Sequence, residues 1–170
     1  TQRVERTRRA VLDWFNAGSD YIAVFTANAS AALKLVGESY AFAPGSRALF
    51  TFDNHNPVNG IREYAAAKGA AVDYCPLLIP DLRLDRAAMA AALADGDTGA
   101  ANLLAFPAQS NFSGVKHPLD LVEDAARNGW DVLLGAGWGA VYLWRGSIVA
   151  PMVCHGAFNL IEVVYHGLAT

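Results

Sequence analysis

The sequence predicts an α/β domain of three layers, with a mostly parallel sheet between helices on both faces. Three observations point there. Short apolar runs alternate with amphipathic or alanine-rich stretches, the rhythm of repeated βα units. Hydrophobic residues make up 54% of the chain and charged residues only 17%, a balance that suits parallel strands buried on both faces. Three polar loops each follow an apolar run, as an open α/β sheet needs in order to build a ligand site beyond its strand ends. A chain of 170 residues suffices for one domain with a core.

Taken in order, residues 3–16 read as an amphipathic helix carrying Val4, Val11, Leu12 and Phe15, closed by Ala17-Gly18. Tyr21 to Phe25 is a short strand. A helix from about Ser30 to Ser39 follows, with Ala32, Leu33, Leu35 and Val36 facing inward, and Pro44-Gly45 turns the chain. Ala48 to Phe52 is a strand. Pro57 to Lys68 reads as one helix, closed by Gly69. Ala71 to Cys75 is a strand, and Pro76 to Leu84 an extended connection. Asp85 can cap a helix to about Ala94, where alanines at 87, 88, 90, 91 and 92 supply propensity. Asn102 to Phe106 is a strand. Pro118 suits the first turn of a helix that stops at Asn128-Gly129. Trp130 to Leu134 is a strand with parallel neighbours and right-handed crossovers. Beyond Gly135 the only charged residues are Arg145 and Glu162, and strands are expected near 148–153 and 160–164.

Composition excludes several classes of function. A formal charge of −3 and a pI near 5.7 argue against a nucleic-acid partner, which needs a clustered basic face. Arg3, Arg6, Arg8 and Arg9 alternate with Glu5 and Asp13 and read as a solvated helix face. Cys75 and Cys154 are too few for a disulfide framework and lack metal-ligand spacing; Cys75 reads as a small core residue. No apolar run reaches the ~20 residues of a membrane span, and the first residues are charged, so a cytoplasmic protein is expected.

The three loops hold the candidate chemistry. In Phe25-Thr26-Ala27-Asn28-Ala29-Ser30 a strand passes into a helix, whose free N–H groups can bind a phosphate. The same residues would serve equally as a plain helix cap, with Asn28 tolerating a left-handed turn. Asp53-Asn54-His55-Asn56-Pro57-Val58 sets His55 just past a strand end, either facing the crevice or capping a helix. In Gln109-Ser110-Asn111-Phe112-Ser113-Gly114 the Asn111 amide can donate to an oxygen on a ligand, or simply build a turn.

In register, these loops resemble those of class V aminotransferases. These are fold-type I pyridoxal 5′-phosphate (PLP) enzymes that include cysteine desulfurases and molybdenum cofactor sulfurases. The string Phe106 to Gly114, Ala31 to Glu38 and Val58 to Tyr64 is similar to the sulfurase-like branch. The resemblance implies that Ala29 and Ser30 hold the cofactor phosphate. It implies that His55 stacks on the ring and shuttles a proton, and that Asn111 contacts the phenolate oxygen with Gln109 as a second contact. A small amino-acid substrate, sulfur transfer from cysteine with transamination close behind, and a homodimer are implied too.

Two family features are missing. The aspartate expected after the strand that ends at Leu134 is Gly135, and Asp131 lies at the opposite end of that strand. The lysine that would hold the cofactor has no counterpart, since Lys34, Lys68 and Lys116 fall in the wrong segments. Residues 1–134 are therefore expected to be an incomplete type I large domain. Residues 135–170 are expected to be a divergent tail, such as a frameshift or early stop would leave. The chain itself is expected to be inactive. The alternative is a non-catalytic module that binds a phosphate ligand or a partner.

Overall fold

The computed structural model describes residues 2–19, 21–136, 139–143, 151–153 and 161–166. Along the chain run α1 (Gln2–Trp14), β1 (Tyr21–Thr26), α2 (Ala29–Ser39), β2 (Arg47–Thr51), α3 (Asn56–Asn59), α4 (Ile61–Ala67) and β3 (Ala71–Cys75). Then come β4 (Leu77–Leu78), β5 (Arg83–Leu84), α5 (Arg86–Ala94), β6 (Asn102–Pro107), α6 (Asp120–Arg127) and β7 (Trp130–Ala136). The last elements are β8 (Gly139–Leu143), β9 (Pro151–Val153) and β10 (Ile161–His166).

The central sheet has the order β3-β2-β6-β7-β8. Its first four strands are parallel, and β8 runs antiparallel to β7. Strand alternation divides its residues between two cores. Ala48, Phe50, Leu103, Ala105 and Leu133 pack with Ala32 and Leu33 of α2 and Ile61 and Ala65 of α4. Leu49, Leu104, Phe106, Val132 and Leu134 pack with Met89 and Leu93 of α5 and Leu121 and Ala125 of α6. The sheet is thus buried on both faces, and the expected three-layer α/β/α architecture is borne out. A second, antiparallel sheet has the order β1-β10-β9.

The amino ends of the parallel strands are tied by buried polar contacts. The Tyr40 hydroxyl lies 2.9 Å from the Asn102 carbonyl oxygen and 2.6 Å from Asp131 Oδ2. The Arg47 N–H donates to Asn102 Oδ1 at 2.9 Å. Asp131 is therefore engaged at the edge opposite the loops. Trp130, fully buried, donates its indole N–H to the Leu93 carbonyl at 2.8 Å and anchors α5.

Several local expectations need correction. Leu35 is 36% exposed rather than inward. The helix expected over Pro57–Lys68 is two helices. At Gly60 the ladder drops to an i→i+3 bond from the Glu63 N–H, and a β-carbon there would stand 3.2 Å from the Pro57 carbonyl. Pro76–Leu84 is not a plain connection but holds the paired strands β4 and β5. Pro118 precedes α6 instead of opening it. Leu119 is the N-cap instead, and just before Pro118 the His117 N–H bonds back to the Ala108 carbonyl. Helix α1 buries none of its residues. Its Arg8 is not fully solvated: it pairs with Glu5 and lies 5.6 Å over the Phe25 ring. Burial, followed by the charge of Asp85, pushes the Cys75 thiol up to about 11, as suits a core cysteine. Cys154 lies outside the described residues.

Candidate functional site

Strands β2 and β6 are neighbours and run in the same direction, so the loops leaving their carboxyl ends emerge side by side. Between them opens a cavity of about 1020 Å³. Its polar lining includes Asp53, Asn54, His55, Gln109, Ser110 and Asn111; Phe52, Phe112, Leu77 and Leu82 form an apolar rim.

The β2 side is held by Asn54. Its buried amide donates to the Ala105 carbonyl at 2.8 Å and to the Thr51 carbonyl at 3.0 Å, tying the loop to both strands. His55 follows, in extended geometry (φ −64°, ψ 143°), at the N-cap of α3. Its imidazole makes no capping bond, so the helix-cap role weighed for it is not one its side chain performs.

The β6 side is a hairpin-like excursion. The Ser110 N–H donates to the Val115 carbonyl at 2.9 Å, and the Gly114 N–H donates to the Ser110 carbonyl at 2.9 Å. Gly114 sits at φ +74°, where a side chain would be strained. The Ser110 hydroxyl accepts from the Phe112 and Ser113 N–H groups at 3.3 Å each. This turn sets Asn111 and Phe112 at the exposed tip. Gln109, exposed, folds along the loop and donates to the Gly114 carbonyl at 3.3 Å.

Ala29 and Ser30 stand elsewhere. They open α2, which packs against α3, but neither lines the cavity. Asn28 is extended (φ −169°), not left-handed, and its side chain accepts from the Ala31 N–H at 2.9 Å. The turn thus performs the cap that its residues allowed.

The three lysines are also accounted for. Lys34 pairs with Glu38 at 3.6 Å. Lys68 donates to the carbonyls of Gly37, Glu38 and Tyr40 at 3.3, 2.7 and 2.8 Å. Lys116 is exposed and bridges to Gln109 through the backbone. None of them lines the cavity. Gly135 pairs with Pro107, and a β-carbon there would stand 3.3 Å from the Pro107 α-carbon.

One pair escaped the sequence reading. His117 Nε2 lies 2.7 Å from Asp53 Oδ2, with side chains 1% and 2% exposed. Burial alone would raise the Asp53 carboxyl. The hydrogen bond with His117, the Thr51 hydroxyl, the histidine charge and the Ser110 hydroxyl together hold it below the usual carboxylate range. Its Oδ1 makes no hydrogen bond of ordinary geometry. The only signal in the sequence was one more histidine shortly after the third loop. Among the described residues there is no cluster of three or more metal-ligating side chains, and no helix is long and apolar enough to cross a membrane.

Comparison with known proteins gives this geometry a context. The family model for class-V aminotransferases matches residues 1–136. A molybdenum cofactor sulfurase from Arabidopsis thaliana is 37% identical over 168 aligned positions, which cover 86% of this chain and 20% of that protein. The chain therefore spans about a fifth of the length of this curated relative. An apo cysteine desulfurase from Thermococcus onnurineus NA1 superposes with a TM-score of 0.68 at 23% identity, covering 79% of this chain and 33% of that one. A serine palmitoyltransferase from S. paucimobilis, solved with bound PLP–myriocin, superposes at 0.57 and 16% identity, covering 75% and 29%. At these identities the structural matches establish the fold alone.

Proposed function

Because the chain belongs to the class-V aminotransferase family, we propose that its cavity is the ring-binding half of a PLP site of the cysteine desulfurase and sulfurase type. The observation that carries this reading is the convergence of His55 and the Gln109–Gly114 loop on one cavity. The donor set suits the ring side of the cofactor. His55 offers a flat face and a proton-carrying nitrogen, and Gln109 and Asn111 offer neutral amide donors. It suits covalent attachment less well, since no lysine is among the lining residues.

When bound, such a group supplies an electron sink for chemistry at the α-carbon of an amino acid. The chain's own part is positional. Asn111 would donate to the phenolate oxygen and Gln109 would make a second contact. His55 would stack on the ring and hold or pass a proton at its imidazole. Ala29 and Ser30 would receive the phosphate at the α2 N-terminus. The substrate class is a small amino acid, with cysteine favoured by the kind of relative matched. These loops belong to a large-domain portion over 1–134, with 135–170 a divergent tail. Without an amine in the site, the chain by itself does not turn cysteine over.

The test is a titration of the chain with PLP, followed by absorbance and equilibrium dialysis. Saturable binding that dialyses away is expected, with Asn111→Ala and His55→Ala each weakening it by roughly ten-fold, about 1.4 kcal/mol. Absence of saturable binding, or binding indifferent to both substitutions, overturns the reading. Sulfide release from cysteine above the free-PLP background would refute the inactivity.

A further inference from the structure

We propose that Asp53 and His117 form a buried positioning pair that sets the spacing of the two cavity walls, and with it where His55 and Asn111 stand relative to a ligand. Asp53 lies two residues before His55 on the β2 side, and His117 closes the loop that carries Asn111. They are 64 positions apart in sequence and 2.7 Å apart in space. The contact thus joins the loop after β2 to the loop after β6, from Asp53 in the cavity wall to His117 behind it.

Each end of the contact is fixed locally. The His117 N–H donates to the Ala108 carbonyl at 2.9 Å, which closes the loop at its base. On the other side, the Ser110 hydroxyl lies near the Asp53 carboxylate and helps hold it ionised. That same hydroxyl accepts from the Phe112 and Ser113 N–H groups, the two that follow Asn111 in the turn. The carboxylate is thus bonded to the loop at its base, through His117. With side chains 1% and 2% exposed, neither residue offers its own polar atoms to a ligand. Each acts through the loop it holds.

A purely structural role explains the pair poorly. A buried charged group is a costly way to fill space, and apolar residues of similar volume commonly do as well or better. What a His–Asp contact provides that apolar packing does not is direction: one N–H aimed at one oxygen, in a medium where misalignment is penalised.

The effect on a ligand rests on the cofactor reading proposed above, whereas the effect on the loops does not. The test compares the chain with His117→Phe, His117→Gln and Asp53→Asn, each held well below its own unfolding transition. Amide hydrogen exchange over residues 110–117 and PLP affinity are both measured. Expected for His117→Phe is exchange faster by roughly ten-fold or more in that loop, with PLP binding weakened to a similar degree. Expected for His117→Gln, which keeps an N–H donor, is recovery to within about three-fold on both readouts. A His117→Phe chain that melts earlier but keeps its loop protection and its PLP affinity overturns the proposal. If that variant does not fold, Asp53→Asn decides: loosening of the loop supports the pair, and behaviour like the parent overturns it. If the parent chain binds no PLP while His117→Phe still frees the loop, the cofactor reading falls and the positioning pair stands.

Discussion

The turn from Thr26 to Ser30 and the turn from Phe52 to Asn56 both carry the chain from a strand into a helix, and both contain asparagine. The first looks after itself: Asn28 caps α2 through the Ala31 N–H, and the Thr26 hydroxyl donates to the Asn28 carbonyl at 3.1 Å. The second is bound to its neighbours, with Asn54 reaching the Ala105 carbonyl of β6 and Asp53 reaching His117. The difference follows from strand order. Strand β2 has the parallel β6 beside it, so two loops share one edge, whereas β1 pairs with the antiparallel β10. A polar turn becomes part of a cavity when the strand next to it sends a second loop to the same place.

The strongest way to break this contrast is to remove the cross-strand tie. Asn54→Ala deletes an amide that satisfies carbonyls on β2 and β6 at once, in a buried position. A loss of about 2–3 kcal/mol is expected, because buried acceptors lose their partner. Urea denaturation would measure it. A loss under about 0.5 kcal/mol, the range of ordinary surface substitutions, would mean the two loops are not held together by Asn54.

Acid should come next. The Asp53 carboxyl titrates below its ordinary value in the folded chain. A group depressed by folding adds stability that is present above its unfolded pKa, near ~3.9, and lost as pH falls through the folded value. Stability is therefore expected to drop below about pH 4, and Asp53→Asn should flatten that limb while costing stability at neutral pH. Melting curves from pH 7 down to pH 3 would show it; parallel curves for the two chains would count against an ionised Asp53.

Much of this fold was legible because it rests on local signals. Asp85 caps α5 through the Ala88 N–H at 3.0 Å, as its place before an alanine-rich run implies. The strand Ala71–Cys75 keeps the bounds that its apolar run suggests. Other features were not legible, and the reason is physical in each case. The break at Gly60, where the Glu63 N–H bonds only three residues back, has no marker in the apolar periodicity that runs across it. Leu35 faces outward because α2 turns its Ala32–Leu33 side to the sheet, and a helix rich in apolar residues on several sides does not declare which one is buried. The candidate site divides the same way. Polar loops past strand ends could be read directly. That His55, Gln109 and Asn111 line one cavity while Ala29 and Ser30 do not depends on which strands are neighbours, and single-chain periodicity carries no such information. His117 was invisible for the same reason, since its partner is 64 residues away.

The smallest effect sharpens the comparison from the other side. Asn28→Ala removes the cap of α2, and exposed caps of this kind are worth about 1 kcal/mol. The Asn28 backbone is extended, so alanine fits it without strain, and the loss should be that of the hydrogen bond alone. Because the turn lies outside the cavity lining, loop exchange over residues 110–117 should not change. Thermal melting and amide exchange on one sample would test both halves. A loop that loosens on Asn28→Ala would mean that α2 transmits to the cavity loops through α3, and the two turns would then be mechanically coupled.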